Sequence, residues 1–396
     1  MSLGLGLVRR CRLEGMATAD KAGRLIELLV GGRSYGRQEL LTLVGNLSQL
    51  GGTRHYNLAA GRAKGTAAVD FDTGSGLYFT VLPDRGLDIS AATYKGINLV
   101  YRTPNGEVHP AFYHPHGSEW LRTFFGGLLT TCGLTYFGAP GYDGDETLGL
   151  HGRYSATPAV QVRDISCWCE DDYRLELRGA VEECSLFGDR IRLTRTISSD
   201  IGGRCLRIHD VAENFGFRNS PLTILYHINC GFPLLDAGSE LVLSSIECDP
   251  YDEVSRVEQD HFDRFTAPVP GFQEQNFLHR MAVDGEGYAY AAILNRKLLG
   301  GLGLYIKFLS ASLPYLSEWK MLGEGEYVVG LEPCNVRCAN RAVLRQRGIL
   351  PSLSPGETRE MRLEIGILEG VEEIKAFVKR TRGITAGTGH PIQENR

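Results

Sequence analysis

From Ala59 to Leu368 the chain repeats one pattern: apolar or alternating runs of five to nine residues, each closed by Gly, Asp or Asn. Side chains on a strand alternate between two faces, so such runs build buried or half-buried strands, and helix-type periodicity is nearly absent from them. Antiparallel pairs are predicted for Leu77–Leu82 with Asn98–Tyr101, for Val181–Leu186 with Ile191–Ile197 around Phe187-Gly-Asp-Arg190, and for the runs flanking Gly300-Gly301. Before Gly51, Leu25, Leu28 and Leu29, then Leu40, Leu41 and Val44, recur at helical spacing with Gly31-Gly32 as a break. Val371–Val378 shows helical spacing again, and the Thr/Gly/Pro-rich end reads as frayed. No repeat or linker divides the β region. The expectation is an all-β chain: a helical extension over 1–50, one large antiparallel β-sandwich over 51–368, and a C-terminal helix and tail over 369–396.

Composition narrows the partners. The 42 Lys and Arg against 47 Asp and Glu leave a formal net charge of -5, and no window holds a basic run that could neutralise a phosphate backbone, which argues against nucleic acid. The apolar part of the first residues precedes Arg9-Arg10 and is too short for a secretory signal, and Ala289–Leu304 is cut by Asn295, Arg296 and Lys297. Neither secretion nor membrane insertion is expected. Ten cysteines without a C-x-x-C pair or zinc spacing read as reduced structural thiols, and a cytoplasmic location follows. The oligomeric state is left open, as is initiation at Met1 or Met16. Gly141–Thr147 resembles a calcium loop in composition only and reads as a solvated turn.

Three runs carry polar groups where apolar ones are expected. In Leu222–Pro233, period two puts Thr223, Leu225, His227 and Asn229 on one face, so His227 and Asn229 form either a functional patch or a core histidine satisfied by a backbone carbonyl. In Glu326–Asn335, Glu332 shares a face with Gly330, whose missing side chain leaves room beside a costly buried carboxylate; the alternative is a strand-end ion pair with Arg337. In Leu148–Ser155, His151 and Arg153 lie two apart on a predicted strand and could donate to hydroxyls, although a solvated Arg153 is the simpler reading. Trp319 and Lys320 offer an aromatic face and a cation near the Glu332 run, or else a core Trp beside a surface Lys. Asp84 and Arg85, within Pro83–Ile89, read first as a turn-stabilising ion pair and second as hydroxyl contacts.

Taken in order, Pro-Asp-Arg-Gly-Leu-Asp-Ile (83–89), Leu-His-Gly-Arg (150–153), Tyr-His-Ile-Asn-Cys-Gly-Phe-Pro (226–233) and Leu-Glu-Pro-Cys-Asn (331–335) resemble the aldose 1-epimerase family of galactose mutarotase-like sandwiches, in a divergent branch. The resemblance implies a β-supersandwich, no cofactor and no metal, and a small-molecule carbohydrate as partner. It carries a sugar-contacting His onto His151, a general acid onto His227 and a general base onto Glu332. Two features depart from the family pattern. An Asn-Arg pair is missing from the stretch Gly126–Gly133, and the aromatic residues that follow the catalytic His are replaced by Ile228-Asn229-Cys230.

The implied activity is that of an isomerase exchanging the α and β anomers of a free sugar, with the two groups on opposite sides of the ring. Three rivals stay open: a carbohydrate-binding or sugar-sensing protein that has lost turnover, an epimerase acting at carbon, and, ranked last, a metal enzyme using His151, His227 and Asp84 or Glu332.

Overall fold

The computed structural model of the chain describes residues 35–387. Strands Gly52–Asn57, Ala67–Asp72, Leu77–Leu82, Asp88–Tyr94 and Ile97–Asn98 follow one another as a five-stranded meander. A nine-stranded antiparallel sheet follows, in which Arg190–Asp200 and Cys205–Asn214 alternate buried and half-buried residues along their whole length. That alternation marks a sheet with one face in the core and one toward solvent. Strand Thr358–Glu369 returns from far along the chain and lies between Cys205–Asn214 and Leu302–Leu309.

A six-stranded sheet positions the site. In spatial order it holds Ser245–Pro250, Gln275–Met281, Tyr315–Gly323, Glu326–Cys334, Thr223–Gly231 and Thr130–Leu134. Thr223–Gly231 is buried at every position, so alternation is invisible there and both faces are covered. One face adds Ile224, Tyr226, Ile228, Val329 and Leu331 to the main core. The other adds Cys132, Leu225, Leu278 and Cys334 to a second cluster around Trp120 and Phe124.

A buried charge network joins the three sheets. Arg195, from the nine-stranded sheet, donates to Asp210 at 2.7 Å, to Asp88 of the meander at 3.1 Å and to the Thr131 hydroxyl of the six-stranded sheet at 3.0 Å. The Tyr226 hydroxyl donates to Asp210 at 2.7 Å. Burial pushes the Asp88 carboxyl up to about 6 against the pull of Arg195.

Two of the three predicted hairpins form as read, Asp172–Cys184 with Arg190–Asp200 and Tyr288–Asn295 with Leu302–Leu309. The third is corrected: Leu77–Leu82 pairs with Asp88–Tyr94, and Ile97–Asn98 only extends the far side of that strand. Pro83–Arg85 forms a single tight turn, and Gly86 and Leu87, at φ 66° and 57°, send the chain straight back. At the N-terminal end, Leu40 is buried in a helix over Arg37–Leu43, whereas Leu25, Leu28 and Leu29 lie outside the described residues. Helix Gly370–Ala386 packs Ile374 and Phe377 on Tyr290, Leu294 and Leu368, covering the outer face of the nine-stranded sheet. The tail expected to fray lies, from residue 388, outside the described residues. The acidic Gly141–Thr147 segment is more than a solvated turn: Asp143 accepts from Arg341 and Arg345, each at 2.7 Å, and Glu146 pairs with Arg341. No helix among the described residues is long and apolar enough to cross a membrane.

Candidate active site

Strand register builds the site. Pairing of Leu225 with Cys334 and Ile228 with Leu331 sets His227 opposite Glu332 on one sheet face. His227 Nε2 lies 3.1 Å from Glu332 Oε1, with both side chains almost fully buried. The contact lacks hydrogen-bond alignment. Glu332 Oε1, His227 Nδ1, His151 Nδ1 and Asn229 Oδ1 are all buried without a hydrogen-bond partner among the described residues. A lone buried orphan costs stability on the order of 1–3 kcal/mol, so several on one patch mark a place where a polar ligand would supply the missing partners.

Apolar and aromatic groups enclose this patch. Trp120 and Phe124 stack with centroids 4.5 Å apart; Trp120 lies 4.8 Å from the His151 ring, and Phe124 lies 5.4 Å from that of His227. Trp319 stands edge-on to His227 at 5.4 Å, and its Nε1 donates to the exposed Glu274 at 3.0 Å. Gly330, paired directly with Trp319, keeps the space between them open: a Cβ there would fall 2.5 Å from Glu332 Oε1 and 3.2 Å from His227 Cε1.

Burial sets the protonation. It pushes the Glu332 carboxyl up to about 8; hydrogen bonding from Ser317 pulls the other way, and the nearby Glu318 and Glu274 charges add to the rise. Burial holds His227 well below the usual imidazole range, helped by His151, and lowers His151 to about 4. These shifts favour the proton on Glu332 and the neutral form of both imidazoles near neutral pH.

The structure brings together His227, Glu332, His151, Asn229 and Trp319, and it separates the rest. Glu332 is not paired with Arg337, which binds Asp249 at 3.3 Å. His227 is not a satisfied core histidine, since its Nδ1 is orphaned. Asn229 Nδ2 donates to the carbonyls of His227 and Gly127. His151 sits in a turn at φ 57°, not on a strand, and Arg153 reaches away into a small cavity beside Tyr113, Thr135 and Glu183.

Lys320 is on the opposite sheet face from Glu332, since register pairs it with Val329 while Trp319 pairs with Gly330; its Nζ donates to the His261 carbonyl at 2.8 Å. Asp84 accepts from the Ala67 amide, and Arg85 is buried on the carbonyls of Ser155, Val108 and Thr123. The expected ion pair between them is replaced by these backbone contacts. Among the described residues no three His, Cys, Asp or Glu side chains are grouped to hold a metal ion. Sequence reasoning missed Trp120, Phe124, Ser317 and Glu274. Period two could have found Ser317, which shares its face with Trp319.

No curated protein sequence matches the chain. A solved structure of a candidate aldose 1-epimerase from Klebsiella pneumoniae superposes with a TM-score of 0.81 at 23% identity, covering 86% of this chain and 91% of that one. A galactose mutarotase-like protein from Clostridium acetobutylicum gives 0.58 at 13% identity over 81% and 99% of the two chains, and galactose 1-epimerase from Lactobacillus acidophilus gives 0.53 at 14% over the same shares. At these identities the likeness establishes the fold alone. The model of a domain family of unknown function, DUF4432, matches residues 63–367, and the chain belongs to that family, built on the galactose mutarotase-like fold.

Proposed function

We propose that the protein exchanges the α and β anomers of a free aldose, with Glu332 and His227 moving the protons. The observation that carries this reading is a carboxyl and an imidazole 3.1 Å apart, both buried and both with an orphaned polar atom. The fold it shares with proteins described as aldose 1-epimerases supports the same chemistry.

The two groups stand side by side on neighbouring strands, not on opposite sides of a ring as the sequence suggested. Side by side suits the reaction, because the anomeric hydroxyl and the ring oxygen are both bonded to C1. One proton shared by the pair is enough. A sugar hydroxyl donating to Glu332 favours its ionised form and shifts the proton to His227. The carboxylate then takes the proton of the anomeric hydroxyl while the imidazolium delivers one to the ring oxygen; the C1–O bond opens to the aldehyde, and closure on the other face reverses both transfers. His151 and Asn229, each with an orphaned atom, hold the remaining hydroxyls, and Trp319 supplies an apolar wall.

NMR exchange spectroscopy over a panel of aldoses tests this. For a sugar whose exchange the wild type accelerates, Glu332→Gln and His227→Gln should each reduce the acceleration by about 10²–10⁴-fold. A sugar that binds with no acceleration would instead favour a sensor.

A further inference from the structure

The catalytic pair is shut away from solvent. His227 and Glu332 are 5% and 4% exposed, and the aromatic groups packed on this face, Trp120 and Phe124, are 5% and 6% exposed. An aldose must touch both catalytic groups at once, so part of the enclosure moves before any sugar reacts. The sheet side is held by strand ladders, and Trp319 is fixed further by its bond to Glu274. Trp120 belongs to no ladder. It sits on a single 3-10 turn, Glu119–Arg122, whose Leu121 and Arg122 face solvent.

The segment Tyr113–Phe124 is held differently at its two ends. At the Phe124 end, Asn105 Nδ2 donates to the carbonyls of Leu121 and Phe124 at 2.8 and 3.0 Å, Thr103 Oγ1 donates to that of Phe124 at 2.6 Å, and Arg85 donates to that of Thr123 at 3.0 Å. At the Tyr113 end two bonds tie it to the His151 turn: the Tyr113 hydroxyl donates to the Gly152 carbonyl at 2.8 Å, and the Leu150 amide donates to the Gly117 carbonyl at 2.9 Å. Gly117 has φ 53° and open space where a side chain would stand, which leaves the backbone free to pivot there.

We propose that Tyr113–Phe124 is a lid, hinged on Asn105 and latched to the His151 turn, which lifts Trp120 to admit a free monosaccharide and closes over it. This rests on the reading of His227 and Glu332 as the pair that meets the sugar, and it names what that site accepts. A ring whose anomeric carbon lies at the pair is enclosed when the lid shuts, whereas a second ring linked to it stands in the way of closure. Reducing ends of oligosaccharides are therefore excluded. The latch also couples closure to chemistry: Trp120 lies 4.8 Å from the His151 ring, so the two return together, and His151 reaches the sugar hydroxyls only once the aromatic cover is in place.

Native cysteines report the opening. Cys132 and Cys334 both pair with Leu225, two residues along the strand from His227, and both are fully buried in the Trp120–Phe124 cluster. Cys230 is equally buried but lies on the other face, in the main core. N-ethylmaleimide labelling of the folded protein, read site by site by mass spectrometry, should modify Cys132 and Cys334 at least tenfold faster than Cys230. Tyr113→Phe, which removes one latch bond, should raise their rate about fivefold and leave Cys230 unchanged. Equal labelling of all three thiols in wild type, or a change in Tyr113→Phe that Cys230 shares, overturns the lid. The labelling is then repeated with a panel of free hexoses and pentoses and with maltose, cellobiose and lactose. Protection of Cys132 and Cys334 by at least one monosaccharide and by none of the disaccharides is expected; equal protection by a disaccharide, or protection by no sugar, overturns the proposal. Labelling needs no turnover, so an aldose that protects these thiols without being anomerised would sink the mutarotase reading and leave the lid standing.

Discussion

Gly330 shows how one missing side chain makes a site. Its Cβ position is claimed by Glu332, His227 and Trp319 together, so Gly330→Ala should displace the carboxyl and cut anomer exchange at least tenfold while the circular dichroism spectrum is preserved. The rate for wild type should hold level across neutral pH and fall along an alkaline limb near 8, where the pair loses its one proton. Stability follows the same group. The folded value for Glu332 lies above its ordinary carboxylate value, so its contribution is fully present below that ordinary value and is lost as pH rises through about 8. Glu332→Gln should therefore melt higher than wild type at pH 9, with the difference closing toward pH 4. At this scale the sequence was informative because period two is strict. It put His227, Asn229 and Glu332 on their faces correctly, and the same rule forbids Trp319 and Lys320 from sharing one. Trp120 and Phe124 come from an irregular stretch, where no period reports which way a side chain turns.

Elements were legible where the turn between them was short and polar. Phe187-Gly-Asp-Arg190 announced its hairpin, whereas Pro83–Arg85 was expected to hold a turn-stabilising ion pair, yet Leu77–Leu82 was matched to Asn98–Tyr101 and not to the strand directly after that turn. The Leu148–Ser155 run was expected to be a strand with His151 and Arg153 on one face, yet left-handed His151 and Gly152 make a turn lodged against Gly133. The helix Gly370–Ala386 was visible from its spacing, and its packing gives a prediction of its own. Ile374 is fully buried against the outer sheet face, so Ile374→Ala should cost about 2–5 kcal/mol in urea unfolding. The anomer exchange rate, measured where the variant stays folded, should not change, because the helix and the site lie on different sheets.

Across the whole molecule, the sequence suggested a sandwich but could not reveal what locks its sheets together. Arg195 and Asp210 face each other on consecutive strands, but Asp88 comes from the distant meander, on a strand of unremarkable composition, and only the assembled fold adds it to their buried pair. Arg195→Leu strands two buried carboxylates, and a loss of about 3–5 kcal/mol is expected in equilibrium unfolding. The accompanying change should be global, with near-ultraviolet signals from all three sheets lost in one transition. The placement of Thr358–Glu369 matters on another axis, that of time. During synthesis, Cys205–Asn214 and Leu302–Leu309 emerge with bare hydrogen-bonding edges and wait for a strand whose last residue, Glu369, is translated long after them. The nascent chain therefore passes through a window in which its largest sheet is two separate pieces, each able to capture another chain, and the yield of native protein depends on how quickly the ribosome closes that window.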